Sequence, residues 1–128
     1  MNTARPWLYE EPVSAEALRD LQAVDERLPV AYLDLLRQGN GGEVGLRVNP
    51  FMLCLDSAED AISSWRSGTY TAEGVFVFGS NGGGALLAFD LRSPGNLPVV
   101  FFDPIDPKGS MDVLATDFTG LLALCEEA

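Results

Sequence analysis

The sequence predicts an α+β domain, a mostly antiparallel twisted sheet of about five or six strands with about four helices packed mainly on one side. Three observations lead there. Apolar residues recur at helical spacing between Ala17 and Leu36, the period then falls to two, and from Val75 onward short apolar runs alternate with turn residues. A length of 128 residues, 47% of them hydrophobic and 21% charged, suits one domain spanning residues 1–128 around a single core.

Residues 1–12 form a polar lead-in whose Trp7, Leu8 and Tyr9 dock on the domain. Ser14 caps a first helix with the stripe Ala17, Leu18, Leu21 and Val24. Pro29 suits the first turn of a second helix, which buries Tyr32, Leu33, Leu35 and Leu36 and stops at Gly39-Asn40-Gly41-Gly42. Val44, Leu46 and Val48 then alternate as a half-buried strand, Asn49-Pro50 turns the chain, and FMLCL (residues 51–55) is a second strand. Ser57 and Asp60 make a capping box for a helix that places Ala58, Ala61, Ile62 and Trp65 on one face and ends at Ser67-Gly68. VFVF, ALLAF and VVFF follow as consecutive antiparallel strands, DPIDPKGS connects, and residues 111–115 add an edge strand. Thr116 caps the last helix, with its stripe of Phe118, Leu121, Leu122 and Cys125. With the helices on one side, the other face of the sheet is expected to be partly open to a partner.

Charge narrows the partner class. Nineteen acidic residues against eight basic ones give −11, of which residues 48–128 contribute three basic and eleven acidic. Such a field repels phosphate backbones and anionic lipid and accelerates approach to a basic protein, so neither nucleic acid nor membrane is expected as a partner. Solubility alone also accounts for the acidity. The start, MNTARPWLYEEP, lacks an export-type apolar stretch, and no later segment approaches the ~20 apolar residues of a membrane span. A cytoplasmic location follows, and Cys54 and Cys125, both in apolar patterns, suit buried reduced thiols.

Little in the chain suggests catalysis. Histidine is absent, which removes the commonest general base and any Ser-His or Cys-His pair. Lys108, the only lysine, lies in a turn beside Asp106, and Asp103-Pro-Ile-Asp106-Pro reads as turn chemistry before it reads as a carboxylate pair. No calcium loop or zinc spacing is present, so neither a metal nor a cofactor is expected.

The stretch FGSNGGGALLAFD (residues 78–90) invites a phosphate-loop reading, which fails. Gly79-x4-Gly84 is followed by Ala85-Leu86 where a Walker loop needs lysine, and a strand follows where a dinucleotide fingerprint needs a helix. It is a hairpin, in which Asn81-Gly82 supplies a type I′ turn and Gly83 or Gly84 a bulge.

Taken in order, Leu28-Pro29, Tyr32, Asn40-Gly41-Gly42, Gly79-Ser80-Asn81-Gly82-Gly83, Phe89-Asp90 and Phe118 resemble the motif set of the SUKH superfamily, from about residue 14 to the C-terminus. That fold is shared by bacterial toxin-immunity proteins and a fungal cell-wall-synthesis regulator. Asp117 stands where the family more usually has serine, and Asn81 where it often has aspartate; both keep capping or turn capacity. The resemblance implies a non-enzymatic α+β domain, in most bacterial members an immunity protein that binds and neutralises a cognate toxin, often a nuclease or deaminase. The alternative it implies is a regulatory or scaffold module. Tyr32 and Phe89 are expected in the core, the glycines as backbone requirements, and Asp90 closing a turn.

For the contact surface with a basic toxin, the acids Asp56, Glu59, Asp60, Asp103 and Asp106 are the candidates, with Trp65 and Tyr70 as aromatic anchors. Each has a plain alternative as a solvated acid or a core aromatic. Oligomeric state has no signature in the sequence.

Overall fold

A computed structural model describes residues 5–68 and 73–127. The elements run α1 (Ala15–Val24), α2 (Val30–Gln38), β1 (Gly42–Gly45), β2 (Met52–Leu55), α3 (Ala58–Ser67), β3 (Val75–Ser80), β4 (Leu86–Asp90), β5 (Val99–Phe102), α4 (Pro107–Ser110), β6 (Asp112–Ala115) and α5 (Phe118–Ala123). The six strands form one wholly antiparallel sheet in the order β1-β2-β3-β4-β5-β6, so every strand pairs with its neighbours in sequence. This is the predicted α+β architecture.

Four helices cover one face. Ala17 and Leu21 of α1, the Tyr32 to Leu36 set of α2, Ala58, Ala61 and Ile62 of α3, and Phe118 and Leu121 of α5 join Leu53, Leu55, Phe76, Phe78, Leu87, Phe89 and Val99 of the sheet in the main core. Removing this apolar surface from water is the chief term holding helices to sheet. At its centre Tyr32, Phe78, Phe89 and Phe118 pack ring on ring, with centroids 4.5 Å apart for the stacked Phe78–Phe89 pair and 5.2–5.8 Å for the others. On the opposite face Val75, Val77, Ala88, Val100 and Phe102 make a second, smaller cluster. That face is therefore partly closed by its own side chains, with a groove beside β6.

Local signals explain most boundaries. The Ser14 hydroxyl accepts from Ala17 N at 3.1 Å and the Ser57 hydroxyl from Asp60 N at 3.1 Å, which supplies a first-turn acceptor to α1 and to α3. Gly68 ends α3 in the left-handed conformation, φ 64°. The lead-in docks as expected: Tyr9 N donates to Gly41 O at 2.8 Å and Glu43 N to Trp7 O at 3.2 Å, along the outer edge of β1.

Several expectations need correction. The first strand stops at Gly45: Leu46 N still donates to Phe51 O at 2.9 Å, but Leu46 is bridged to Cys125 and Arg47 N turns to Leu124 O at 2.9 Å, so the alternation through Val48 does not continue the ladder with β2. Phe51 is no strand residue: it has φ 73° and is 66% exposed. Asp106, with Pro107 behind it, caps the short helix α4 where only a connection was expected. Asp117, not Thr116, caps α5, its Oδ1 accepting from Gly120 N at 2.8 Å. Cys54 is half-buried instead of buried, because it alternates with Leu53 and Leu55 and so faces away from the main core.

The glycine hairpin also differs in detail. Gly82 has φ 77° but Asn81 has no positive φ, so the connection is not a type I′ turn. It is a five-residue loop, residues 81–85, closed by Asn81 N to Ala85 O at 3.0 Å. The Asn81 side chain organises it, Oδ1 accepting from Gly83 N at 2.9 Å and Ala85 N at 3.0 Å. The bulge lies within β3, between Val77 and Gly79, and not in the loop.

Candidate functional site

The motif residues are brought together, but as architecture. Tyr32, Phe89 and Phe118 meet in the aromatic core described above, all at 0% exposure. Leu28 is buried, and Pro29 is the N-cap of α2. Asn40 fastens the end of α2 to the start of α3: its Oδ1 accepts from Ala58 N and its Nδ2 donates to Glu59 Oε1, both at 2.8 Å. Gly41 and Gly42 carry the lead-in, with Leu8 bridged to Gly42. At Gly79 the bulge presses β3 against β2, and a Cβ there would lie 2.6 Å from Cys54 O. Asp90 closes the turn after β4, accepting from Arg92 N at 3.0 Å and Arg92 Nε at 2.9 Å; these bonds hold its carboxyl below the usual carboxylate range.

The candidate contact acids fall into separate places. Asp56, Glu59 and Asp60 cluster at the N-terminal end of α3, where first-turn acids complement the helix dipole. Of these, Asp56 is the unusual one: burial, with Asp60 as a like-charged neighbour, pushes its carboxyl up to about 6. Its charge in turn adds to burial in raising the Tyr32 phenol, whose buried hydroxyl has no hydrogen-bond partner among the described residues. Asp103 and Asp106 sit after β5, separated from β2 by two strands of the sheet. Both perform turn chemistry: Asp103 Oδ1 accepts from Ile105 N at 2.9 Å, and Asp106 Oδ1 from Gly109 N at 3.2 Å. Trp65 is 38% exposed and stands with its ring 5.8 Å from that of Phe76. Tyr70 lies outside the described residues.

Some contributors had no local signal. Arg27 reaches across the chain to hold the turn after β4, donating to Leu91 O at 2.8 Å and Ser93 O at 2.6 Å while paired with Asp25 at 3.0 Å. Arg92 does the corresponding work on the other side, paired with Asp90 and reaching Met111 Sδ at 3.3 Å. A groove of about 1010 Å³ runs there, on the sheet face away from the helices. Among the described residues no three His, Cys, Asp or Glu side chains are placed to hold a metal ion, and no helix is long and apolar enough to cross a membrane.

The arrangement defines a class, a small α+β domain whose recurring motif residues build the core, the helix junction and the turns, while acids outnumber basic residues among its exposed charged side chains. The chain belongs to the SMI1 / KNR4 family (SUKH-1), whose model matches residues 12–124. Membership is consistent with an immunity or regulatory domain and suggests action through protein interaction. A search of curated proteins finds no match.

Proposed function

We propose that this domain acts without catalysis, as an immunity protein that binds a basic nuclease- or deaminase-type toxin in the cytoplasm and blocks it. The observation that carries the reading is the SUKH-1 match across residues 12–124, combined with a formal charge of −11. A field of that size speeds encounter with a cationic nucleic-acid-processing enzyme and disfavours the enzyme's own substrate at the same surface. Asp56 supports the reading further. Its carboxylate is partly desolvated at a net cost, which a cation from a partner would offset.

The test is co-expression with the product of the adjacent gene, followed by co-purification and a toxin-protection assay. Protection, with affinity that falls as salt rises, is the expected result. A chain that protects against no neighbouring toxin, yet captures a protein from its own cytosol, would instead be a regulatory module of the kind the fungal relative represents.

A further inference from the structure

The sheet has two edges, and they are treated differently. The outer side of β1 is covered by the lead-in, through the Tyr9–Gly41 and Trp7–Glu43 hydrogen bonds, and by the C-terminal segment, through Glu126 N to Gly45 O at 2.8 Å. By contrast β6 pairs with β5 alone, and no isolated bridge among the described residues reaches it. Its outer backbone groups are those of a free edge.

Beside that edge lies the groove on the face away from the helices. Val100 supplies an apolar floor, with Met111 packed against the same small cluster. Val113 pairs with Val100, which sets both on this face, and yet Val113 is 64% exposed. The groove's charges do not balance. Asp90 and Arg92 neutralise each other, whereas Glu73 and Asp106 have no ion-pair partner among the described residues and share the groove with Lys108; Asp112, likewise without an ion-pair partner among the described residues, is set on the alternate face of β6 by its pairing with Phe101.

We propose that β6 and this groove receive an extended, lysine- or arginine-bearing segment of the partner protein, which adds to the sheet as a seventh strand. Each feature selects one property of the occupant. The free edge selects an extended backbone, the Val100–Val113 strip selects an apolar side chain on the groove face, Asp112 selects a cation at the alternate position of the added strand, and Glu73 and Asp106 add to the negative field of the groove. A second copy of this chain fits poorly, because edge-to-edge pairing would bring together two chains of −11, each with Asp112 in the paired strand. The proposal rests on the protein-binding reading above and locates its surface away from the α3 acids.

The test uses the whole chain, isotope-labelled for NMR, titrated with a short synthetic peptide of alternating lysine and valine. A control peptide has the same charge but proline in place of each valine. Saturable shifts and slowed amide exchange centred on residues 111–115 are expected with the first peptide only. Asp112→Lys should weaken that binding about fivefold, the size of one exposed ion pair. Val113→Lys should weaken it as well, through the apolar strip.

Equal binding of the proline peptide, shifts centred on Asp56 to Asp60, or dimerisation of the protein through β6 would each overturn the proposal. Toxin protection that survives both variants, with no peptide effect at β6, removes this surface and leaves the immunity reading standing. Peptide binding at β6 without protection from any toxin supports the surface and removes that reading.

Discussion

Asn40→Ala should be among the most damaging single changes outside the core. Ala58 N is a first-turn donor of α3 and part-buried, and Asn40 Oδ1 accepts from it at 2.8 Å. Truncation leaves that donor unsatisfied, at about 1–3 kcal/mol, and also removes the more exposed bond to Glu59. A net loss of about 2 kcal/mol corresponds to a melting temperature lower by roughly 8 °C for a domain of this size. Urea and thermal unfolding followed by far-UV circular dichroism would measure both. Asn40→Asp keeps the acceptor and should recover most of the loss, less a salt-dependent repulsion from Glu59, while Glu59→Gln should stay within about 0.5 kcal/mol of wild type. If Asn40→Ala also stays within about 0.5 kcal/mol, or if Asn40→Asp is equally damaging, the junction does not work through this acceptor.

Other outcomes follow from the same coordinates. Gly79→Ala should cost about 2 kcal/mol or more in a denaturation series, since its Cβ would press on the Cys54 carbonyl, whereas Gly84→Ala, with open space around it, should be neutral or stabilising by about 0.5 kcal/mol. Gly82→Val should lose about 1–2 kcal/mol from its φ of 77°, with no change in partner affinity; unchanged thermal stability would mean that this backbone conformation is not required. Asp117→Ala should cost about 1 kcal/mol and Thr116→Ala almost nothing, a comparison that checks which residue caps α5. Because burial raises Asp56 to about 6, the folded protein keeps that proton where the unfolded chain has lost it. The resulting stability is present below about pH 4 and is lost as pH rises to about 6. Asp56→Asn should flatten that part of the stability profile and be more stable than wild type at pH 7; an unchanged profile would show that Asp56 titrates normally.

The helices and the β3–β5 meander were legible because their apolar residues repeat at the period of the element and face a single core, as the stripes through Leu21, Tyr32 and Phe118 do. β1 was misjudged past Gly45 because alternation through Val48 is a local pattern, whereas the bond that draws Arg47 away comes from Leu124, far along the chain. Helix α4 did have a signal, since Asp106-Pro107 is a cap followed by a first-turn proline. The hairpin was recognised as a turn, but its closure depends on Asn81 accepting two hydrogen bonds, which dipeptide preference does not specify. Among the motif residues, Tyr32, Phe89 and Phe118 lie in the core, and Asp90 closes a turn. Arg27 and the groove were invisible, because the residues they join are distant in sequence and carry no periodicity: Arg27 meets Leu91 and Ser93 across more than sixty positions.

The sealing of β1 has a consequence for motion and for the order of assembly. Each strand pairing joins sequence neighbours, so the sheet closes through successive small loops, each at low entropic cost. The bonds that seal β1 from outside are the exception. Trp7 Nε1 meets Glu127 Oε1 at 2.8 Å across 120 residues of chain, and Arg5 pairs with the same carboxylate. Contacts of such separation, made by partly exposed ends, are the last to be compensated during folding and the first to open afterwards. Amide exchange should therefore reveal two tiers, a slow one through β3 and β4 and a fast one where residues 7–9 and 124–126 meet β1, so that the edge hidden at rest is the one exposed intermittently.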